Sequence, residues 1–246
     1  MIVFLRSLIF SLIMTSSTVL FSILLMVLSP LPYSLVKHVV RLYPAVNLFA
    51  LKHICGIRYE VHGREHIPDQ TSIIFSKHQS TWETFALQMI FPAMSFVVKR
   101  ELLWIPFFGW GLAVTRPVAI DRSAGRAAIK QLVNKGTARL QQGIWVAIFP
   151  EGTRVAAGSK GRYRIGGAIL AAKSGYPVVP VAHNAGEFWP RGQFLKKPGT
   201  VQIVIGPQIP SNNRKPEAIL ADAENWIEAT MEKIDQDSPH KRSESL

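Results

Sequence analysis

Apolar residues crowd the start of the chain and give way further on to short alternating runs. From Leu8 to Leu28 no residue is charged. As a helix this stretch would be roughly 31 Å long, about one bilayer core. A secretory signal would have a shorter apolar core and a small-x-small cleavage site. The following SPLPYSLVKHVVRLYP offers none, so the pattern predicts an uncleaved membrane segment. A second helix is predicted over Leu35–Ile54. Leu35, Val36, Val39, Val40 and Tyr43 recur at helical spacing, Lys37 and Arg41 share another face, and Pro44 is a place for a kink. That apolar face suits either a membrane interface or the packing surface of a domain. Residues 1–55 are therefore expected to form hydrophobic anchor helices.

Beyond them the period changes. IRYEVHG (57–63) alternates as a half-buried strand, and TSIIFS (71–76) is a short buried one. In 81–91, Trp82, Phe85, Ala86 and Met89 lie at helical spacing, and Pro92 stops the helix. Strands follow at 94–99, 144–149, 178–183 and 201–206, with an extended stretch at 112–120 broken by Pro117. Helices are predicted at 123–142 (Ala127, Ala128, Leu132 and Leu140 inward), 165–174 and 216–234. Strands alternating with helices predict a layered α/β domain over 56–235, a mixed central sheet flanked by helices. The remaining 236–246 reads as a polar, disordered tail.

Charge narrows the partners. Against 16 Asp+Glu stand 28 Lys+Arg, a net +12, which favours an anionic surface or a phosphorylated substrate. No nucleic-acid module accompanies that charge, so a nucleic-acid partner is not expected. Arg6 alone precedes the apolar segment, whereas Lys37, Arg41, Lys52, Arg58 and Arg64 follow it. The positive-inside tendency places the large domain on the cytoplasmic side of the membrane. Cys55 is the only cysteine, which rules out an internal disulfide, and no carboxylate cluster completes a metal site around His62 and His66.

Candidate chemistry lies in four stretches. In FSKHQSTWETF, His78 and Glu83 are five apart. On one helix they would point about 140° apart, so His78 must sit on the preceding turn and fold back. Ser80 as N-cap puts Glu83 at the third helical position, a Ser-x-x-Glu capping box; capping and an imidazole contact both remain open for Glu83. In IFPEGTR a strand runs into Glu151, Gly152, Thr153 and Arg154. There Gly152 permits close backbone approach and Arg154 can grip a phosphate. Lys99 ends a strand in VVKRELLWIPFFGW, and Arg122 stands before a helix in RPVAIDRS, with Asp121 or Ser123 as its cap. Neither Gly-x-Ser-x-Gly nor a Walker loop occurs.

In this order the blocks resemble the 1-acylglycerol-3-phosphate O-acyltransferase family, over about 57–210. HQSTWE is similar to its His-x-x-x-x-Asp block with Glu83 for Asp, Phe149–Arg154 matches Phe-Pro-Glu-Gly-Thr-Arg, and Lys99–Leu102 matches Lys-x-Glu-Leu. GWGLAVTRPVAIDR and VVPVAH resemble the remaining two blocks. The resemblance implies transfer of an acyl chain from acyl-CoA or acyl carrier protein to the sn-2 hydroxyl of lysophosphatidate, giving phosphatidate at the inner membrane, with no cofactor. It implies that His78 is the base and Glu83 its partner. Lys99, Arg122 and Arg154 would hold the phosphate, with Glu151, Gly152 and Thr153 shaping the pocket. Lipid A acyltransferases resemble this pattern with either carboxylate, so a lipid A precursor or another lysophospholipid is the alternative acceptor. A non-catalytic, membrane-tethered phospholipid-binding protein is the alternative of another class.

Overall fold

The computed structural model describes residues 1–237. Its apolar opening is α1 (Ile2–Leu28), followed by α2 (Tyr33–Ala50) and a π-helical turn, Leu51–Cys55. The helix starts ahead of Leu8 because one arginine does not interrupt an apolar helix, and α2 runs through Pro44. By length and composition α1 could cross a membrane, yet one face of it is docked on the domain. Ser7 Oγ accepts the Lys196 backbone N–H at 2.9 Å, and Ser11 Oγ accepts from Lys196 Nζ at 3.0 Å. Asn47 Nδ2 donates to Ser17 Oγ at 3.3 Å, and the Thr18 and Tyr43 hydroxyls are 2.8 Å apart. Polar groups buried in a helix face need such partners, so these pairs set the rotation of α1. Leu5, Leu12, Leu20 and Val27 remain exposed, as do Leu35, Leu42, Val46 and Phe49 of α2. Leu35 thus lies on the outward stripe of α2, while Val36 is buried.

The domain is a seven-stranded sheet in the order β1-β7-β6-β2-β5-β3-β4. Its strands are β1 (Ile57–His62), β2 (Ile73–Ser76), β3 (Met94–Lys99), β4 (Val118–Ile120), β5 (Trp145–Ile148), β6 (Val178–His183) and β7 (Gly199–Ile205). Pairing is parallel except between β6 and β7, so the sheet is mixed. Successive side chains alternate between faces. Ile74 of β2 packs with Trp82, Phe85 and Leu87 of α3 (Trp82–Ile90), whereas Ile73 and Phe75 enter the opposite core. That second core is built by α5 (Arg126–Gln141), α6 (Gly166–Ser174) and α8 (Pro216–Asp237).

Two expectations need correction. The stretch 112–120 is not extended throughout: Leu112–Val114 close α4 (Phe108–Val114), and only Val118–Ile120 form a strand. Packing against α1 decides this. A Cβ on Gly111 would lie 2.5 Å from Ser22 Oγ, so the glycine lets the two helices touch. In α5, Ala128, Leu132 and Leu140 are buried but Ala127 is exposed, because the inward stripe runs Ala128, Leu132, Gly136 and Leu140 and Ala127 lies beside it. A short helix α7 (Ala185–Phe188) follows β6. The tail expected over 236–246 begins inside α8 and otherwise lies outside the described residues.

Candidate active site

Strands β2, β5, β3 and β4 are mutually parallel neighbours. Their carboxyl ends therefore open on one edge of the sheet, where ligands of open α/β sheets bind. His78 leaves β2 there, Phe149–Arg154 leave β5, Lys99 ends β3, and Arg122 follows β4. Stretches far apart in the chain meet for this topological reason.

His78 Nδ1 donates to Glu83 Oε1 at 2.7 Å. The same oxygen accepts the backbone N–H of Gln79 at 3.0 Å and of Ser80 at 2.9 Å. The helix cap is Thr81 rather than Ser80, whose Oγ accepts from the Trp82 N–H at 3.2 Å. Glu83 thus serves the helix start and the imidazole with one carboxylate. Burial raises its pKa, but the His78 hydrogen bond, the charges of His183 and His78, and the Ser80 amide outweigh that and hold it below the usual carboxylate range. An ionised, acceptor-only Glu83 keeps the proton on Nδ1 and leaves Nε2 with its lone pair. Phe149 stacks on the His78 ring at 3.9 Å and 13°, with Phe96 stacked behind it at 6.0 Å. The imidazole is thereby held in plane as well as in tautomer.

His78 lines a cavity of about 730 Å³, together with Lys99, Arg122, Gly152, Thr153 and Arg154. Its other end is apolar, with Phe21, Leu25, Val40, Phe108 and Leu112 contributed by α1, α2 and α4. Arg154 Nη1 donates to Thr81 Oγ1 at 2.9 Å, and Arg122 Nη1 to the Gly152 carbonyl at 2.5 Å. Gly152 has φ 71°, a left-handed backbone conformation that favours glycine. Lys99 is 54% exposed at the rim, 3.9 Å from Glu101. Asp121 does not cap α5; its Oδ1 accepts the Ser123 N–H at 3.0 Å in the turn before it, and Gly125 holds the cap position. Glu83 and Glu151 stand behind the wall instead of lining the cavity. The Glu151 carboxylate points inward and accepts the His78 backbone N–H at 3.0 Å.

Several contributors had no sequence signal or only a faint one. Arg191 reaches the cavity from the chain after α7, donating to Thr153 Oγ1 at 3.1 Å and to the Arg154 carbonyl at 3.2 Å. A lone arginine after Trp189-Pro190 carries no pattern. Phe149 was legible as part of IFPEGTR, but not as the ring on which His78 rests. Among the described residues no group of His, Cys, Asp and Glu could hold a metal ion. The described geometry suits a general base beside a site for a molecule anionic at one end and apolar at the other.

Known proteins resemble this chain over most of its length. A sequence model of the family described as Acyltransferase matches residues 58–184. A protein named 1-acyl-sn-glycerol-3-phosphate acyltransferase from Pseudomonas aeruginosa is 44% identical over 234 residues, which cover 93% of this chain and 91% of that one. The alpha form of an enzyme of that name from Bos taurus is 30% identical over 177 residues, 71% of this chain and 62% of its own length. The crystal structure of the 1-acyl-sn-glycerophosphate acyltransferase from Thermotoga maritima superposes with a TM-score of 0.77 at 23% identity, covering 94% of this chain and 95% of that chain. At that identity the last likeness speaks for the fold.

Proposed function

Because the chain belongs to the acyltransferase family, of the 1-acyl-sn-glycerol-3-phosphate type, we propose that it moves an acyl chain from a thioester to the sn-2 hydroxyl of lysophosphatidate. The observation that carries this reading is the 2.7 Å His78–Glu83 pair on the wall of a cavity cationic at one end and apolar at the other. His78 Nε2 takes the hydroxyl proton as the oxygen attacks the thioester carbon. Glu83 stabilises the imidazolium that forms. Collapse of the tetrahedral intermediate breaks the C–S bond, and the leaving thiolate takes the proton from Nε2. No covalent enzyme intermediate is needed, so Cys55, buried beside the Arg6 carbonyl, has no part in it.

Lys99, Arg122, Arg154 and Arg191 hold the acceptor phosphate and so fix its hydroxyl beside His78. The apolar end takes acyl chain. The docked, largely exposed α1 and the exposed Trp104, Ile105 and Trp110 suit entry of lipid from a membrane, the inner membrane with the domain in the cytoplasm. Conversion of lysophosphatidate and an acyl thioester to phosphatidate by detergent-purified protein tests the reading. Comparing acyl-CoA with acyl carrier protein identifies the donor. No phosphatidate with either donor would overturn it.

Two substitutions test the ends of the cavity. Arg154→Ala is expected to raise KM for lysophosphatidate about tenfold, the loss of one charge-assisted hydrogen bond, while leaving a phosphate-free acceptor unaffected. An equal rise for both acceptors would remove the phosphate role. Leu112→Trp fills the apolar end and is expected to slow long-chain donors by about tenfold relative to short ones. An unchanged chain-length profile would place the acyl chain elsewhere.

A further inference from the structure

The residue before His78 is a lysine that the reaction above does not use, and it is 1% exposed. Lys77 Nζ lies 2.9 Å from Glu151 Oε1 and 2.9 Å from Glu228 Oε1, and it donates to the Ser159 carbonyl at 3.1 Å. All three of its donors are thus taken. Glu151 Oε1 also accepts the Gly161 N–H at 3.2 Å, while Oε2 accepts the His78 N–H at 3.0 Å. Glu228 is carried by α8, whose apolar stripe Ile219, Ala223, Ile227, Met231 and Ile234 is buried and sets the rotation of the helix. Its Oε1 additionally accepts from Tyr163 OH at 2.7 Å. The backbone of Lys77 is held from the other side: its N–H donates to the Val181 carbonyl at 3.0 Å, and its carbonyl accepts from His183 Nε2 at 2.8 Å.

We propose that Lys77 and Glu228 are a positioning pair for the catalytic loop, through which the C-terminal helix holds Glu151 and, by way of Glu151, the backbone of His78. The physical argument starts from cost. Taking the Lys77 ammonium and the Glu151 carboxylate out of water, with Glu228 partly so, is costly, and apolar residues of similar volume often stabilise a fold as well or better. What the ionic arrangement supplies is direction. One ammonium with three fixed acceptors leaves Glu151 Oε2 aimed at one N–H, that of the residue bearing the base. None of these side chains lines the cavity, so they act on turnover through the backbone they hold, and the direct hydrogen bond from Glu151 is to the N–H of His78. A displacement of about 1 Å at a reacting group can cost on the order of 100-fold.

This inference rests on the reading of His78 as the base, and its test separates the two. In the full-length protein, Glu228→Gln is expected to lower kcat about tenfold with KM for both substrates within about twofold, and Lys77→Met to lower kcat at least ~30-fold. The double variant should be no slower than Lys77→Met alone, because the two residues act as one unit. The control is Glu224→Gln, one turn earlier on α8, which breaks only the surface pair with Lys160 at 2.8 Å; it should keep wild-type turnover. Hydrogen exchange at the amides of His78–Ser80 should quicken in Glu228→Gln and not in Glu224→Gln, a readout independent of substrate. Should Lys77→Met fail to fold, Glu228→Gln decides the matter. Wild-type kcat or wild-type exchange in folded Glu228→Gln overturns the positioning pair. Wild-type protein that cannot acylate lysophosphatidate overturns the functional reading and leaves the exchange result standing.

Discussion

A His78→Ala protein is expected to turn over lysophosphatidate at least ~100-fold more slowly than wild type. Without an acceptor at Nε2, the sn-2 hydroxyl must attack the thioester while still protonated. The fold should survive the change. The His78 side chain is 17% exposed, and Glu83 keeps the N–H groups of Gln79 and Ser80 as partners. A kcat measured at saturating substrate, beside a melting curve within a few degrees of wild type, makes the comparison clean. Undiminished kcat in that folded variant would end the assignment of His78 as base.

Glu83→Gln separates the two duties of the carboxylate and carries the second large effect. As a cap, glutamine keeps one carbonyl oxygen for the Gln79 and Ser80 N–H groups. As the partner of His78 it does not serve. In the wild type one oxygen faces the Nδ1–H and two backbone N–H groups, while the other also faces the Ser80 N–H at 3.0 Å. An amide NH₂ at either position meets a donor. If it faces His78, the ring changes tautomer and presents Nε2–H to the hydroxyl, which removes the base. The expected loss in kcat is ~100-fold or more, with full activity leaving only the capping role.

The same residue sets an acid limit to stability. Its folded pKa is depressed below the ordinary carboxylate value. The stability it contributes is therefore present above that ordinary value and lost as pH falls through the folded one. Denaturation midpoints of the wild type should fall across that acid window. Those of Glu83→Gln should lack this component, and parallel curves for the two proteins would show that Glu83 is not the group responsible.

Periodicity located the elements where local pattern decides them. The strand of 71–76, the helix stopped by Pro92 and the apolar stripe of α8 follow from side chains at fixed spacing on one face. It misjudged 112–120 because Leu112–Val114 are too short a run to show a period of their own, and they close a helix whose Gly111 packs against Ser22. The i+5 spacing of His78 and Glu83 already required a loop histidine and a carboxylate in the first helical turn. Which residue caps that turn depended on the course of the chain at Ser80 and Thr81.

The role of Lys77 was hidden for a different reason. A lysine between a strand and a histidine reads as a solvated charge. Only the meeting of β2, the loop after β5 and α8 encloses it between Glu151 and Glu228. Arg191 and the Phe149 ring came to the site in the same way.

What the residues settle alone is what short-range sterics and burial period govern: an apolar helix through the charge-free Leu8–Leu28, strands alternating with helices, the capping-box spacing of Ser80 and Glu83, and a strong cationic surplus. What needs the folded chain is everything that depends on strand order. Parallel pairing of β2 with β5, β5 with β3, and β3 with β4 brings their carboxyl ends to one edge. Contacts between residues tens of positions apart leave no local pattern, because their energies are realised only after the sheet has closed around them.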